Sequence, residues 1–460
     1  MKRSYFSNDN FSRIKEIVKV GSPYMVSTFF DATSFTLMVF IVSFFLPSGK
    51  EIAALGSSIY VVWVLWGFST AFSNGITSLT SRFLGDKNIK NIIHLFWISI
   101  KFSFFWYLFI LIIFNLILVD IIFGFLKMDI TVVKLAKDVV IYYSYIIIFS
   151  IIASIIFSIL QGILKTKQIM IITILAVFVE VITVFVGIKY FEINLSLLIN
   201  LAWLGGELVR IILGYHFLKK EGILINWKIS KELGRNIKED WLRFWEALSI
   251  GFPVKIGMLI FGSVYYFIIS FITSIGQKMG LAERAVAALT VSQRFEVLIW
   301  MVDAGLTVAT ATIIGKTIGY ETFQQDKQHK INEIKKIITS SVIVGTLSFV
   351  PIMLLFVFFN KQLLSIFIKD NVIVNIGSGY LFYTGLMGLS MVYNAVFTGF
   401  FISIGKTIPL TLYMIIFSLL RIPLCSIATN FDTIWFVINF TNVMMTITLF
   451  FTYLYILRRL

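Results

Sequence analysis

The chain has 460 residues, 58% of them hydrophobic and 14% charged, with a mean hydropathy of +0.92. Soluble domains are about half apolar and a quarter charged, so this composition excludes a water-soluble enzyme and makes lipid the better solvent. The 39 Lys and Arg against 24 Asp and Glu give a net charge of +15. The basic residues lie between long apolar runs, which reads as loop charge at a membrane surface and sets nucleic acid aside as a partner.

A membrane-crossing helix needs about 20 mostly apolar residues. In chain order, the runs between charged or turn-rich breaks predict about twelve spans: 17–46, 52–83, 92–119, 139–164, 168–190, 195–218, 246–275, 281–318, 334–359, 372–403, 407–428 and 433–457. The first contains Pro23 and Asp31. It is too long for the core of a signal peptide and is taken as a retained span. Runs such as 146–156 are apolar on every side, unlike the alternating strands of a β-barrel. The expected fold is an all-α integral membrane protein of twelve transmembrane helices in two pseudo-two-fold-related bundles of six. Counting Lys and Arg in the connections gives 24 on the side of both termini and 9 on the other, which predicts cytoplasmic termini.

The longest polar connection falls at the midpoint, so the expected organisation is an N-terminal six-helix lobe at 1–218, a cytoplasmic linker at 219–245 and a C-terminal six-helix lobe at 246–460. The halves repeat one another. Pro23 recurs as Pro253, and Ala53-Ala54-Leu55 as Ala287-Ala288-Leu289. Gly85 recurs as Gly319, and Gly162 with Lys165-Thr166 as Gly399 with Lys406-Thr407. Six spans per repeat is an even number, so both enter from the same side, and the substrate route is expected between the lobes.

The stretch Ala53-Ala54-Leu55, Trp66-Gly67 and Ser81-Arg82-Phe83-Leu84-Gly85-Asp86 resembles the second-helix pattern of multidrug and toxic compound extrusion (MATE) transporters. Its echo in the second half is Arg294-Phe295-Glu296, Ala304-Gly305-Leu306 and Ile314-Gly315-Lys316-Thr317-Ile318-Gly319. The region from Gly399 through Gly405-Lys406-Thr407-Ile408-Pro409 to Arg421-Ile422-Pro423-Leu424 is similar too. The resemblance implies an inner-membrane antiporter. It would expel cationic or amphipathic organic compounds by alternating access against an inward flow of protons or Na⁺, with no other cofactor and as a monomer. Flippases for lipid-linked oligosaccharides share the superfamily's fold and are the alternative.

Eleven ionisable residues fall well inside the expected spans: Asp31, Lys101, Glu180, Glu207, Arg210, Lys255, Arg294, Glu296, Asp303, Lys316 and Arg421. At roughly 3 kcal/mol each, exposing them all to lipid would cost about 30 kcal/mol, so they must face the protein interior, water or headgroups. The family's first-helix aspartate position is Met38 here, and its fifth-helix aspartate position is Val184. Asp31 lies seven residues before Met38, on nearly the same face about 10 Å along the axis. Asp31 and Glu180 are therefore the candidate coupling site for a proton or Na⁺: two carboxylates in one poorly solvated chamber repel, and a bound cation relieves them. Pairing of either with Lys101, or capping of backbone groups, is the competing reading.

Lys255, Arg294, Glu296 and Asp303 are expected to form a charge network in the second lobe. The position where some relatives carry a seventh-helix carboxylate is Phe261. Glu207 and Arg210, three apart, suit a local ion pair. Lys316 and Arg421 are read as reaching headgroups. Asn74, Gln161, Gln293 and Asn394 are candidate cavity amides, with interhelical hydrogen bonding as the alternative. Cys425 is alone, and His94, His216 and His329 stand apart at segment ends, so no disulfide, thiolate site or histidine metal cluster is expected. No triad, Walker loop or dinucleotide fingerprint appears.

Overall fold

A computed structural model of the protein describes residues 10–46, 50–115, 119, 130–191, 193–223, 236–320 and 327–459. Every regular element among them is a helix. In chain order they are α1 (Asn10–Phe45), α2 (Lys50–Ser69), α3 (Ser73–Gly85), α4 (Ile89–Ile113), α5 (Ile130–Gly162), α6 (Thr166–Tyr190) and α7 (Leu195–Lys220). They continue as α8 (Ile237–Lys278), α9 (Ala282–Phe295), α10 (Val297–Gly319), α11 (Lys327–Phe358), α12 (Asn360–Ser365), α13 (Asn371–Met387), α14 (Leu389–Ser403), α15 (Ile408–Ser426) and α16 (Phe431–Arg459).

Apolar side chains on all faces leave a lipid-immersed chain only one local way to satisfy its backbone groups, the helix. Eleven helical segments are long and apolar enough to cross a membrane, and a twelfth is the pair α13 and α14, bent by 50°. The expected all-α membrane fold is what the chain adopts. Among the described residues three spans are interrupted: α2 from α3 at 70–72, α9 from α10 at Glu296, and α13 from α14 at Gly388.

The described residues divide into two compact units, one drawn from Met1–Met25 with Ile256–Leu460 and the other Val26–Lys255. Relative to lobes at 1–218 and 246–460, they differ by an exchange of segments, because the dividing points lie inside α1 and α8. Each lies two residues past a proline, Pro23 or Pro253. Part of the linker expected at 219–245, residues 224–235, lies outside the described residues.

Within Val26–Lys255, α5 is the hub, packing on α2, α3, α4 and α7, while α6 packs on α7. In the other unit, the broken span α13–α14 takes the hub position, packing on α9, α10, α11 and α16, while α15 packs on α16. The same neighbour scheme thus appears twice, as the internal repeat requires. The repeat also extends to backbone geometry. Ahead of Lys165-Thr166 the chain turns through Leu164 at φ 63°, and ahead of Lys406-Thr407 through Gly405 at φ 71°. Both turns close the preceding helix alike: the Lys165 N–H donates to Leu160 O at 2.8 Å and the Lys406 N–H to Phe401 O at 3.0 Å. A side chain in this left-handed region costs about 1 kcal/mol, and the first repeat bears that cost while the second avoids it. Gly405→Leu is expected to lower the stability of the folded protein by about 1 kcal/mol. Thermal melting of purified protein in detergent measures it, and an unchanged midpoint would contradict the turn assignment.

Candidate functional site

The two helices expected to carry the site, α1 and α6, run alongside one another in a fixed register. Ser27 Oγ donates to Thr173 Oγ1 at 2.8 Å, and seven residues on Ser34 Oγ donates to Glu180 Oε2, each pair 146 residues apart. Met38 and Val184 keep that offset and lie in one fully buried apolar cluster with Val42, Leu55, Val139 and Ile199. The two positions where the resemblance would place aspartates are therefore a single plug of hydrocarbon here. The charged groups sit one to two turns earlier.

There the structure joins Asp31 and Glu180 through a third residue. Arg210 on α7 donates from Nη2 to Asp31 Oδ1 and from Nη1 to Glu180 Oε1, both at 2.9 Å. Glu207 Oε1 lies 3.8 Å from Nη1, so the expected local pair forms, and it also accepts from Ser150 Oγ at 2.8 Å. Lys101 takes no part, since its Nζ pairs with Asp240 at 3.6 Å. The Glu180 side chain is 3% exposed, whereas that of Asp31 is 53% exposed and forms the open end of the cluster. The other Glu207 carboxylate oxygen is buried without a partner among the described residues. With all groups ionised, three carboxylates face one guanidinium and leave two negative charges uncompensated.

Room for this arrangement comes from Gly206. A Cβ there would fall 2.1 Å from Glu180 Oε1, so the carboxylate lies directly against the α7 backbone. Sequence reasoning missed Arg210 as the centre and treated it as the local partner of Glu207. Its i, i+3 spacing and the Gly205-Gly206 pair were the available signals; which distant acid it would reach depends on how α7 packs on α6.

The second-lobe expectation is corrected. Among the described residues no ion pair joins Lys255, Arg294, Glu296 and Asp303. Glu296 stands at the α9–α10 break and accepts a hydrogen bond from Tyr380 Oη. Arg294 is exposed, and Asp303 is half-buried. Lys255 belongs to the other compact unit, where its Nζ lies 4.8 Å from the centre of the Trp66 ring. Arg421 does not reach for headgroups: it is 1% exposed, donating from Nε to Thr441 Oγ1 at 2.8 Å and from Nη2 to Asn442 Oδ1 at 2.7 Å. Its guanidinium stacks on Phe261 at 4.8 Å, since α16 offers acceptors at mid-helix that make the route to the surface unnecessary. Of the candidate amides, Gln161 accepts from Thr77 at 3.0 Å and Asn394 from Thr446 at 2.9 Å, both interhelical. Gln293 bonds Tyr265, and Asn74 is half-buried on α3. Among the described residues no group of three or more His, Cys, Asp or Glu could hold a metal ion.

Two units of apolar helices with an ionisable cluster buried inside the spans are the construction of a multi-pass membrane transporter. The MatE family model matches residues 23–186 and 253–427, most of both halves, and the chain belongs to the MatE family, whose members are transporters and not enzymes. Solved structures share the fold. An outward-facing multidrug resistance MATE family transporter of the MOP superfamily aligns at TM-score 0.82 and 15% identity, over 97% of this chain and 96% of that one. A mutant of the Vibrio cholerae MATE transporter VcmN aligns at TM-score 0.84 and 14% identity, over 99% of each chain. A MOP superfamily transporter from Pyrococcus furiosus, described as having a binding pocket of reverse polarity, aligns at 0.80 and 14%, over 97% and 96%. No curated protein matches the chain.

Removing Arg210 leaves its carboxylates buried without a cation. Arg210→Met is expected to destabilise the protein by about 3 kcal/mol, and adding Glu180→Gln to restore part of it, since Glu207 stays buried. Gly206→Ala should mimic the loss by displacing Glu180. Thermal melts of the single and double variants test this, and additive effects would break the assignment.

Proposed function

We propose that the chain is a secondary antiporter that exports cationic or amphipathic organic compounds by alternating access, driven by inward movement of protons or Na⁺ through Asp31 and Glu180. The observation that carries this reading is the surplus of negative charge on Arg210, with three carboxylates around one guanidinium. In an apolar surrounding such a surplus is relieved by one added cation. Asp31, the open member, is where it enters. Neutralising Asp31 weakens its bond to Arg210 and leaves the guanidinium to Glu180 and Glu207, which changes how α1 is held against α7. A change of helix packing that depends on occupancy is what a coupled transporter needs, because the ion then favours one facing state over the other. Protons suit the geometry better than Na⁺, because the Arg210 nitrogens already occupy the space between Asp31 and Glu180.

The multidrug resistance described for one structural relative supports the substrate class. The lipid-linked oligosaccharide flippase would call on Lys101, Lys255 and Arg294 as phosphate ligands, and the pairing of Lys101 with Asp240 weighs against it. The inner membrane, cytoplasmic termini and a monomeric state complete the proposal.

Ethidium efflux from vesicles with an imposed pH or Na⁺ gradient tests it. Asp31→Asn and Glu180→Gln are expected to lose gradient-driven export, and native-like coupling in both would remove the first-lobe site. For orientation, Gly222→Cys should react with an impermeant maleimide in inside-out vesicles and not in right-side-out ones.

A further inference from the structure

We propose that Trp66 is a platform for the organic cation and that Lys255 is a tethered cation resting on it, which the transported compound displaces. The inference rests on the reading that the exported compounds are cations.

The geometry is built by backbone contact inside the Val26–Lys255 unit. At the break between α2 and α3, α8 lies directly on the chain: a Cβ on Gly251 would fall 2.1 Å from Ala71 O, and one on Gly75 1.9 Å from Ala247 O. The end of α2 is further held by Trp106, whose Nε1 donates to Phe68 O at 2.9 Å while Phe252 packs edge-on against its ring at 6.1 Å. Lys255 follows Gly251 by one helical turn, so this fit delivers its ammonium to the Trp66 ring at 4.8 Å.

An ammonium has three donors to satisfy. Among the described residues Lys255 has no carboxylate or hydrogen-bond acceptor, and the ring is its one contact of that kind. An uncompensated lysine inside a span is too costly to leave in hydrocarbon, so this face of α8 adjoins water. Trp66 is 42% exposed, which leaves much of the indole open beside the ammonium. A tryptophan face binds any cation by the same quadrupole attraction, best when water is excluded. The tether prevents the empty ring from collapsing or binding weakly attracted cations, and a bulkier, less hydrated organic cation outcompetes it. Lys255 is then a specificity-determining residue, and its position two residues after Pro253 puts it where α8 passes from one compact unit into the other.

Equilibrium binding of tritiated tetraphenylphosphonium to the purified full-length protein in lipid nanodiscs, without any ion gradient, tests the proposal. Lys255→Met keeps the aliphatic stem and removes the competitor, so it should bind the probe about fivefold more tightly than the native protein. Lys255→Arg stacks a planar cation on the ring and should bind it more weakly than native. Trp66→Leu should weaken binding and abolish the gain from Lys255→Met. Equal affinity in native protein, Lys255→Met and Lys255→Arg overturns the proposal alone. Binding by no form overturns the cationic substrate class and the proposal with it. Should Lys255→Met not fold, unweakened binding in Lys255→Arg or Trp66→Leu overturns it.

Discussion

The organisation of the first unit depends on a single guanidinium. Among the described residues Arg210 is the one cation in ion-pair contact with three carboxylates, which come from α1, α6 and α7, and each of those helices is otherwise apolar enough to sit in lipid unaided. Burying Glu180 and Glu207 is tolerable only because Arg210 is buried with them. The pairing is incomplete by design of the numbers, with three acids against one base. The deficit of positive charge is the feature on which the proposed coupling rests.

Around that cluster the packing is close and polar side chains meet across the helices. Gly206 admits Glu180 against α7, and the Ser27–Thr173 and Ser34–Glu180 rungs hold α1 and α6 in one register. Without a hydrophobic drive between helices in lipid, close approach and interhelical hydrogen bonds supply the association. The next rung, Met38 and Val184, is fully buried among apolar side chains, so the charged cluster is bounded on that side by hydrocarbon. In the second unit the polar groups take a different form. Arg421 lies on Phe261 and Glu296 is held by a tyrosine, with no counterpart of the Arg210 cluster among the described residues.

The two long helices α1 and α8 each contribute to both compact units, and their early turns are tied down by charge. Arg13 donates to Glu333 at 2.7 Å, while Asp240 lies 3.2 Å from His94 and 3.6 Å from Lys101. The proline removes one backbone hydrogen bond from each helix near the point where it changes unit, which lowers the resistance to bending there.

Much of the fold was legible in the sequence. Apolar run length gave the number of spans, and the paired motifs from Pro23 to Lys406-Thr407 gave the repeat, because both signals are local and period-driven. The acids Asp31 and Glu180 were legible for the same reason: a carboxylate in an apolar run stands out wherever it points. Their common partner was not. Periodicity places Arg210 on a face of its own helix, but which residue 30 or 179 positions away meets that face is set by interhelical packing. The expected second-lobe network failed on the same ground, since Lys255 meets Trp66 and Glu296 meets Tyr380, contacts set by packing between helices. Composition and spacing determined that this chain is a twelve-span membrane protein with charges to hide. The tertiary structure alone decided how they are hidden, because contacts between helices depend on register and close approach that no single segment encodes.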